Sequence, residues 1–225
     1  NEATLLDMTT AYAMLANGGR KITPTLIDRV QDRKGVTRFR HDARPCSGCE
    51  QTAWRGQDMP VLLDDRVQMA DPVSIYQIQS MLRGVVIRGT ARGSVGSKVD
   101  RPVAGKTGTT NNFQDAWFVG FTPDLVVGVY IGFDQPKSLG KGESGGRAAA
   151  PIFANFVNAA LEGTPAQDFR KPRGIVVANV DPATGMIQED GALEEVFRED
   201  QQTERTFEDG SGYLSTGTSA GATIF

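Results

Sequence analysis

Between residues 102 and 133 the chain sets out three strand-length segments, separated by turns too short to hold a helix. The first segment, 102–109, leads into Lys106-Thr107-Gly108-Thr109. Asn111-Asn112 marks a turn, and Ala116-Trp117-Phe118-Val119-Gly120-Phe121 follows as the second strand. Thr122-Pro123-Asp124 marks another turn. The near-continuous apolar run from Leu125 to Phe133 then reads as a buried strand. Strands joined by such short turns run antiparallel, because a parallel pair needs a crossover of about a dozen residues or more. The segment is therefore an antiparallel meander.

Helical patterns lie on both sides of it. Residues 4–16 place Leu5, Met8, Tyr12 and Leu15 at helical spacing, and Gly18-Gly19 stops that helix. Asp71-Pro72 starts a second helix over 72–88, with Asp as N-cap and Pro at the first helical position. Ile75, Ile78, Met81, Leu82 and Val85 line one face of it, and Gly89, Gly93 and Gly96 follow in a flexible loop. Pro151 opens a third helix, whose apolar face includes Ile152, Phe156 and Ala159 and which Gly163 stops. The sum is an α+β fold, an antiparallel sheet flanked by helices.

The remaining segments divide the chain. Residues 25–40 read as a hairpin turning at Asp32-Arg33-Lys34-Gly35, and 41–70 as a polar loop excursion. Residues 174–188 suggest a last hairpin, with Ile175 to Val180 as one strand and a turn at Asp181 to Gly185. From about Gln201 the chain is polar and rich in Thr, Ser and Gly, the composition of a flexible tail. The expected organisation is a main body over 1–162, a C-terminal hairpin extension over 163–200 and a tail over 201–225.

With 225 residues, 39% hydrophobic and 23% charged, the chain is long enough and apolar enough to bury a sizeable core. A net charge of −3 offers no reason to expect a nucleic-acid partner, which would want a clustered basic face. No window approaches the roughly 18 apolar residues of a membrane span. The chain opens inside a helix-like pattern without a starting Met, which reads as a piece of a longer protein. Cys46 and Cys49 stand in Cys-Ser-Gly-Cys. A zinc site needs about four ligands, and His41 alone is nearby. A thioredoxin-like pair sits between a strand and a helix, whereas this one sits in a Pro/Gly/Arg-rich loop. The favoured reading is a local loop staple, a disulfide in an oxidising compartment.

The chemistry centres on Ala104-Gly105-Lys106-Thr107-Gly108-Thr109-Thr110. Around it, in order, stand Gly89-Thr90-Ala91, the run Asp115 to Pro123, Ile131-Gly132-Phe133-Asp134, and Gly145-Gly146-Arg147-Ala148-Ala149-Ala150-Pro151. This array resembles the second half of the transpeptidase domain of class A (bifunctional) penicillin-binding proteins. The helix ending in Ala16-Asn17-Gly18-Gly19 is similar too, as is the Cys-x-x-Cys loop in some members. The likeness covers roughly residues 1–160 and continues weakly to about 198. A lone Lys-Thr-Gly would be an exposed edge strand with a solvated lysine; the array makes it more than that.

The resemblance implies a β-lactamase/transpeptidase-like fold and serine acyl transfer on peptidoglycan. In the family Ser-x-x-Lys, Ser-x-Asn and Lys-Thr-Gly meet at one site. The serine attacks a D-Ala-D-Ala peptide bond, D-Ala leaves, and an amine of a second stem peptide takes the acyl group; β-lactams acylate the same serine. Carried onto this chain, the catalytic strand is Lys106, Thr107, Gly108 and Thr109, and the substrate-binding residues are Lys106, Thr107, Thr109 and Thr110. A substrate ending in a carboxylate needs a cation and hydroxyl donors, which Lys106, Thr107 and Thr109 offer. Residues 107 and 109 share a face because side chains alternate along a strand. Gly108 lets a peptide backbone lie close to the edge. By family analogy the Thr109 N–H is an oxyanion-hole donor, while Trp117 reads as core or pocket wall. The resemblance calls for no metal or cofactor. Its partners are stem peptides, β-lactams and the upstream part of the same protein, with a homo-oligomer left open. It places the domain in the periplasm of an inner-membrane-anchored bacterial protein, with a glycosyltransferase domain upstream.

One departure is decisive. The chain has no Ser-x-Asn, and its single Ser-x-x-Lys, Ser138-Leu139-Gly140-Lys141, follows Lys-Thr-Gly within a Gly-rich loop. The nucleophile is therefore expected upstream of Asn1, and this chain alone is expected to be inactive. A non-catalytic binding or scaffolding module of a wall-building complex is the competing reading. Two other patterns are set aside. Gly142-Glu143-Ser144-Gly145-Gly146 matches a hydrolase serine elbow, but such an elbow wants a later histidine, and the only histidine is His41. Gly105-Lys106-Thr107 ends a phosphate-loop pattern, but Asp100 stands where that loop needs glycine.

Overall fold

In the computed structural model, which describes residues 3–44, 46, 49, 53, 55–56, 62–188 and 191–201, the three central segments are β3 (Ala104–Thr109), β4 (Ala116–Phe121) and β5 (Val126–Ile131). They pair antiparallel in the order β3-β4-β5, so β3 is an edge. Thr107 lies opposite Phe118, and Phe118 opposite Val129. The turn between β4 and β5 closes on Thr122, whose buried hydroxyl accepts the N–H groups of Asp124 (3.2 Å) and Leu125 (3.0 Å).

Alternation along β4 separates two faces. Phe118 and Gly120 meet α3 (Ala150–Ala160), where Phe118 and Phe153 pack edge to face at 4.8 Å between centroids. That cluster takes in Val86, Val95, Val103, Ala149, Ala154 and Val157. Phe121, on the opposite face, meets Tyr12 of α1 (Leu5–Ala16) at 6.3 Å and Phe169 at 5.6 Å. Tyr76 and Leu82 of α2 (Pro72–Ile87) pack into this second cluster.

Local chemistry sets the helix ends. Thr4 and Asp7 form a reciprocal capping box at the start of α1. Asp71 caps α2 as the sequence predicts, its carboxylate accepting the Ser74 N–H at 3.0 Å with Pro72 as the first helical residue. Gly19 has φ 83° and packs where a side chain would strike the Ala70 carbonyl and Ile75, so glycine is required on both counts. The buried Gln79 donates to the Leu15 carbonyl at 2.6 Å, joining α2 to the last turn of α1.

Several expectations are corrected. The third helix buries Phe153, Ala154 and Val157 and leaves Ile152 and Phe156 about half exposed, the reverse of the expected face. Its sequence is apolar nearly all round, so periodicity does not choose a face; the bulk of Phe118 on the sheet does. On α2, Ile75 is buried, but Ile78 and Met81 are exposed. The last hairpin pairs β6 (Ile175–Val180) with β7 (Leu193–Arg198), so its return strand lies beyond 188; Ile187 makes only an isolated bridge to Val180. This hairpin is strapped to α2 by Gln77 donating to the Val196 carbonyl, Arg88 pairing with Glu195, and Arg198 pairing with Asp71.

The hairpin of β1 (Arg29–Gln31) and β2 (Thr37–Arg40) is exposed along its length. Cys46 and Cys49 are joined by a disulfide in the excursion that follows. The expected tail, beyond Gln201, lies outside the described residues.

Two measurements check this packing. In urea unfolding of the chain, Phe153→Ala should cost about 3–5 kcal/mol, and Phe156→Ala about 0.5 kcal/mol or less. Asp71 is held below the usual carboxylate range, chiefly by the Ser74 N–H and then by the Ser74 hydroxyl. A carboxylate with a depressed folded pKa contributes stability that is present above its unfolded value and lost as pH falls through the folded one. The Tm gap between the parent and Asp71→Ala should therefore be full at neutral pH and close as pH drops below about 4.

Candidate active site on the edge of the sheet

The free edge of β3 follows from its register. The Thr110 N–H bonds the Asp115 carbonyl at 3.2 Å, directly beyond the end of the β3–β4 ladder. In an antiparallel pair the bonded positions alternate. Lys106 and Gly108 therefore turn their N–H and C=O groups toward β4, while Gly105, Thr107 and Thr109 turn theirs outward. The Lys106 amine folds along this edge and donates to the Thr107 carbonyl at 2.8 Å. An outward N–H at Thr109 and a cation beside the Thr107 carbonyl thus lie on one open strand.

The side chains divide by face. Thr107 and Thr109 point to the α3 side, opposite Phe118 and Ala116, as the alternation predicts. Lys106 and Gly108 point the other way. A side chain at Gly108 would press on Trp117 Cβ at 3.1 Å, and Trp117 itself packs against Tyr130 with the rings tilted by 49° and their centroids 4.6 Å apart. Trp117 is a wall under the strand. The Tyr130 hydroxyl donates to Asp115 at 2.8 Å, and that bond leads the causes that push its pKa up.

Two segments far from β3 in the chain reach the threonines. The Thr90 and Thr107 hydroxyls are 3.0 Å apart, within hydrogen-bond distance. The Gly145 N–H donates to Thr109 Oγ1 at 3.0 Å. Gly145 opens a wide turn, Gly145–Ala149, that leads into α3. It lies so close over the Gly108–Trp117 pair that a side chain there would collide with the carbonyls of both. Thr110 is placed differently: its hydroxyl accepts the Asp115 N–H at 2.8 Å and closes the turn between β3 and β4. Thr90 and Gly145 stood in the sequence array but carried no role there; what marks them is contact across 17 and 36 residues.

The other sequence patterns lack the local geometry they would need. Ser138 and Lys141 lie outside any helix, with Gly140 at φ 124°, so no helical turn holds them together. Ser144 begins the wide turn, its carbonyl accepting the Arg147 and Ala148 N–H groups. Residues 105–109 are strand, not a loop opening a helix. Among the described residues no group of three or more His, Cys, Asp or Glu could hold a metal ion, and no helix is long and apolar enough to cross a membrane.

Comparison with known proteins places this geometry. The family model described as the penicillin binding protein transpeptidase domain matches residues 1–158. Penicillin-binding protein 1A of Rickettsia felis is 40% identical over 200 residues, covering 88% of this chain and 25% of that protein. Its counterpart in Neisseria gonorrhoeae is 40% identical over 179 residues, covering 79% of this chain and 20% of that protein. The chain thus spans about a quarter of the length of these relatives. The crystal structure of penicillin-binding protein 1A from Haemophilus influenzae superposes with a TM-score of 0.72 at 30% identity, over 94% of this chain and 33% of that one. The helix-flanked antiparallel sheet is accordingly the β-lactamase/transpeptidase fold, and the chain belongs to the transpeptidase domain of the class A penicillin-binding proteins.

Proposed function

We propose that this chain supplies the substrate-binding edge of a serine-type peptidoglycan D,D-transpeptidase, and that another segment of a longer polypeptide supplies the nucleophile. The observation that carries the reading is the free edge of β3, which presents the outward Thr109 N–H, the Lys106 amine and the Thr107 and Thr109 hydroxyls together.

The donor stem peptide extends along β3 as an added strand and uses the outward backbone groups of Thr107 and Thr109. Its terminal carboxylate accepts hydrogen bonds from hydroxyl and ammonium donors, the charge-assisted bonds that favour an acidic end over a neutral one. The nucleophilic serine Oγ attacks the carbonyl carbon of the D-Ala-D-Ala bond and loses its proton to a neighbouring base. The developing oxyanion is stabilised by the Thr109 N–H. The C–N bond then breaks, D-Ala departs with a proton on its amine, and a serine ester remains. An amine of a second stem peptide attacks that ester, forms the cross-link and returns the proton to serine. A β-lactam follows the first half of this course, and its opened ring stays attached. On this reading the domain lies on the periplasmic face of the inner membrane, as the family resemblance implies.

The scaffolding alternative keeps the sheet and lacks the chemistry. Labelling with fluorescent penicillin separates the two. This chain alone should take no label, and the protein extended upstream through the whole transpeptidase domain should be labelled. If the extended, folded protein stays unlabelled, the scaffolding reading takes over. In the extended form Lys106→Ala should slow acylation about 10- to 100-fold, the loss of one charge-assisted hydrogen bond.

A further inference from the structure

Thr107 and Thr109 can serve a carboxylate only as donors, because an ionised carboxylate accepts and never gives a proton. A hydroxyl has one proton, so each threonine is useful only if that proton is not spent elsewhere. The surroundings of Thr109 settle this for one of the two. Gly145 N–H can only donate, so at 3.0 Å it occupies a lone pair of Thr109 Oγ1 and leaves the hydroxyl proton free.

We propose that Thr90 does the same for Thr107, as a positioning residue that acts through that hydroxyl and sets the preference for a carboxylate-ended substrate. This rests on the transpeptidase reading above. The two hydroxyls are 3.0 Å apart, and either can donate when the site is empty. A bound carboxylate draws the Thr107 proton to itself. Thr90 then donates to Thr107 Oγ1, giving a chain from Thr90 through Thr107 to the carboxylate in which each bond polarises the next.

The position of Thr90 is fixed by backbone, not by chance contact. It follows the last turn of α2, where Arg88 and Gly89 N–H groups both bond the Gly84 carbonyl at 2.9 and 3.0 Å. Ala91, the next residue, is fully buried and bonds the Val85 carbonyl at 3.1 Å. On the other side Gly146 packs against the Thr90 carbonyl, so closely that a side chain there would come within 3.2 Å of it. The hydroxyl of Thr90 is therefore presented to Thr107 from between α2 and the Gly145–Ala149 turn. Lys106 offers no substitute, because its amine bonds the Thr107 carbonyl and not its hydroxyl.

The test uses the full transpeptidase protein that contains this chain, with benzylpenicillin and its methyl ester as probes. Thr90→Val keeps the shape and removes the hydroxyl; Thr90→Ser keeps the hydroxyl. The second-order acylation rate with benzylpenicillin should fall about 3- to 10-fold in Thr90→Val and change by less than about twofold in Thr90→Ser. With the methyl ester, which lacks the carboxylate, Thr90→Val and parent should react alike. Adding Thr90→Val to Thr107→Val should bring no further loss. Equal rates for parent and Thr90→Val with benzylpenicillin overturn the proposal. So does an equal loss with acid and ester, which marks a purely structural role. A folded parent that reacts with neither probe overturns the transpeptidase reading itself, and this inference with it.

Discussion

Gly105 and Gly120 face each other across β3 and β4, and the space that side chains would take is filled by aromatic rings. A side chain at Gly105 would strike Phe118, and one at Gly120 would strike both Phe118 and Phe153. The flat patch lets Phe118 and Phe153 pack against each other over the sheet, their centroids 4.8 Å apart, and brings α3 close to it. Close-packed interiors transmit such constraints, since few voids remain to absorb a shift. The turn that feeds α3 is then held so near β3 that the Gly145 N–H reaches Thr109. The site is in this sense a consequence of the core beneath it.

The same economy of side chains runs through the cleft. Gly108 leaves room for Trp117, and Gly145 lies flush over the Gly108–Trp117 pair. Backbone groups thereby come to the surface where an extended peptide can use them. The strand itself is short, and its outward groups are few: Gly105 is buried, which leaves Thr107 and Thr109 as the accessible outward positions. The polar apparatus is correspondingly small, and its surroundings include the Thr90 hydroxyl from the segment after α2 and the Gly145 N–H from the turn before α3.

The family resemblance and the comparisons converge on the transpeptidase domain, although they rest on different observations. The first rests on the order of short motifs from Gly89 to Pro151. The second includes a superposition over 94% of the chain. What neither supplies is the orientation of individual hydroxyls. For Thr109 that comes from the Gly145 N–H, which donates to its hydroxyl oxygen.

Local rules in the sequence determined the meander, the Asp71 cap and the common face of Thr107 and Thr109. Strand alternation, helix capping and turn chemistry act over a few residues, so they can be read without knowing what lies nearby. Tertiary structure decided which side of α3 is buried, because a helix apolar on most sides takes its orientation from the partner it meets. It decided that β6 pairs with 193–198, the strand that Gln77, Arg88 and Asp71 tie to α2, and not with the segment nearest the turn signal. It also decided the contacts of Thr90, Gly145 and Thr110. Thr110 is near β3 in sequence, yet its hydroxyl accepts the Asp115 N–H across the turn to β4. Thr90 and Gly145 are far from it, yet the fold brings the Thr90 hydroxyl and the Gly145 N–H to the strand, because packing joins residues by distance in space and not along the chain.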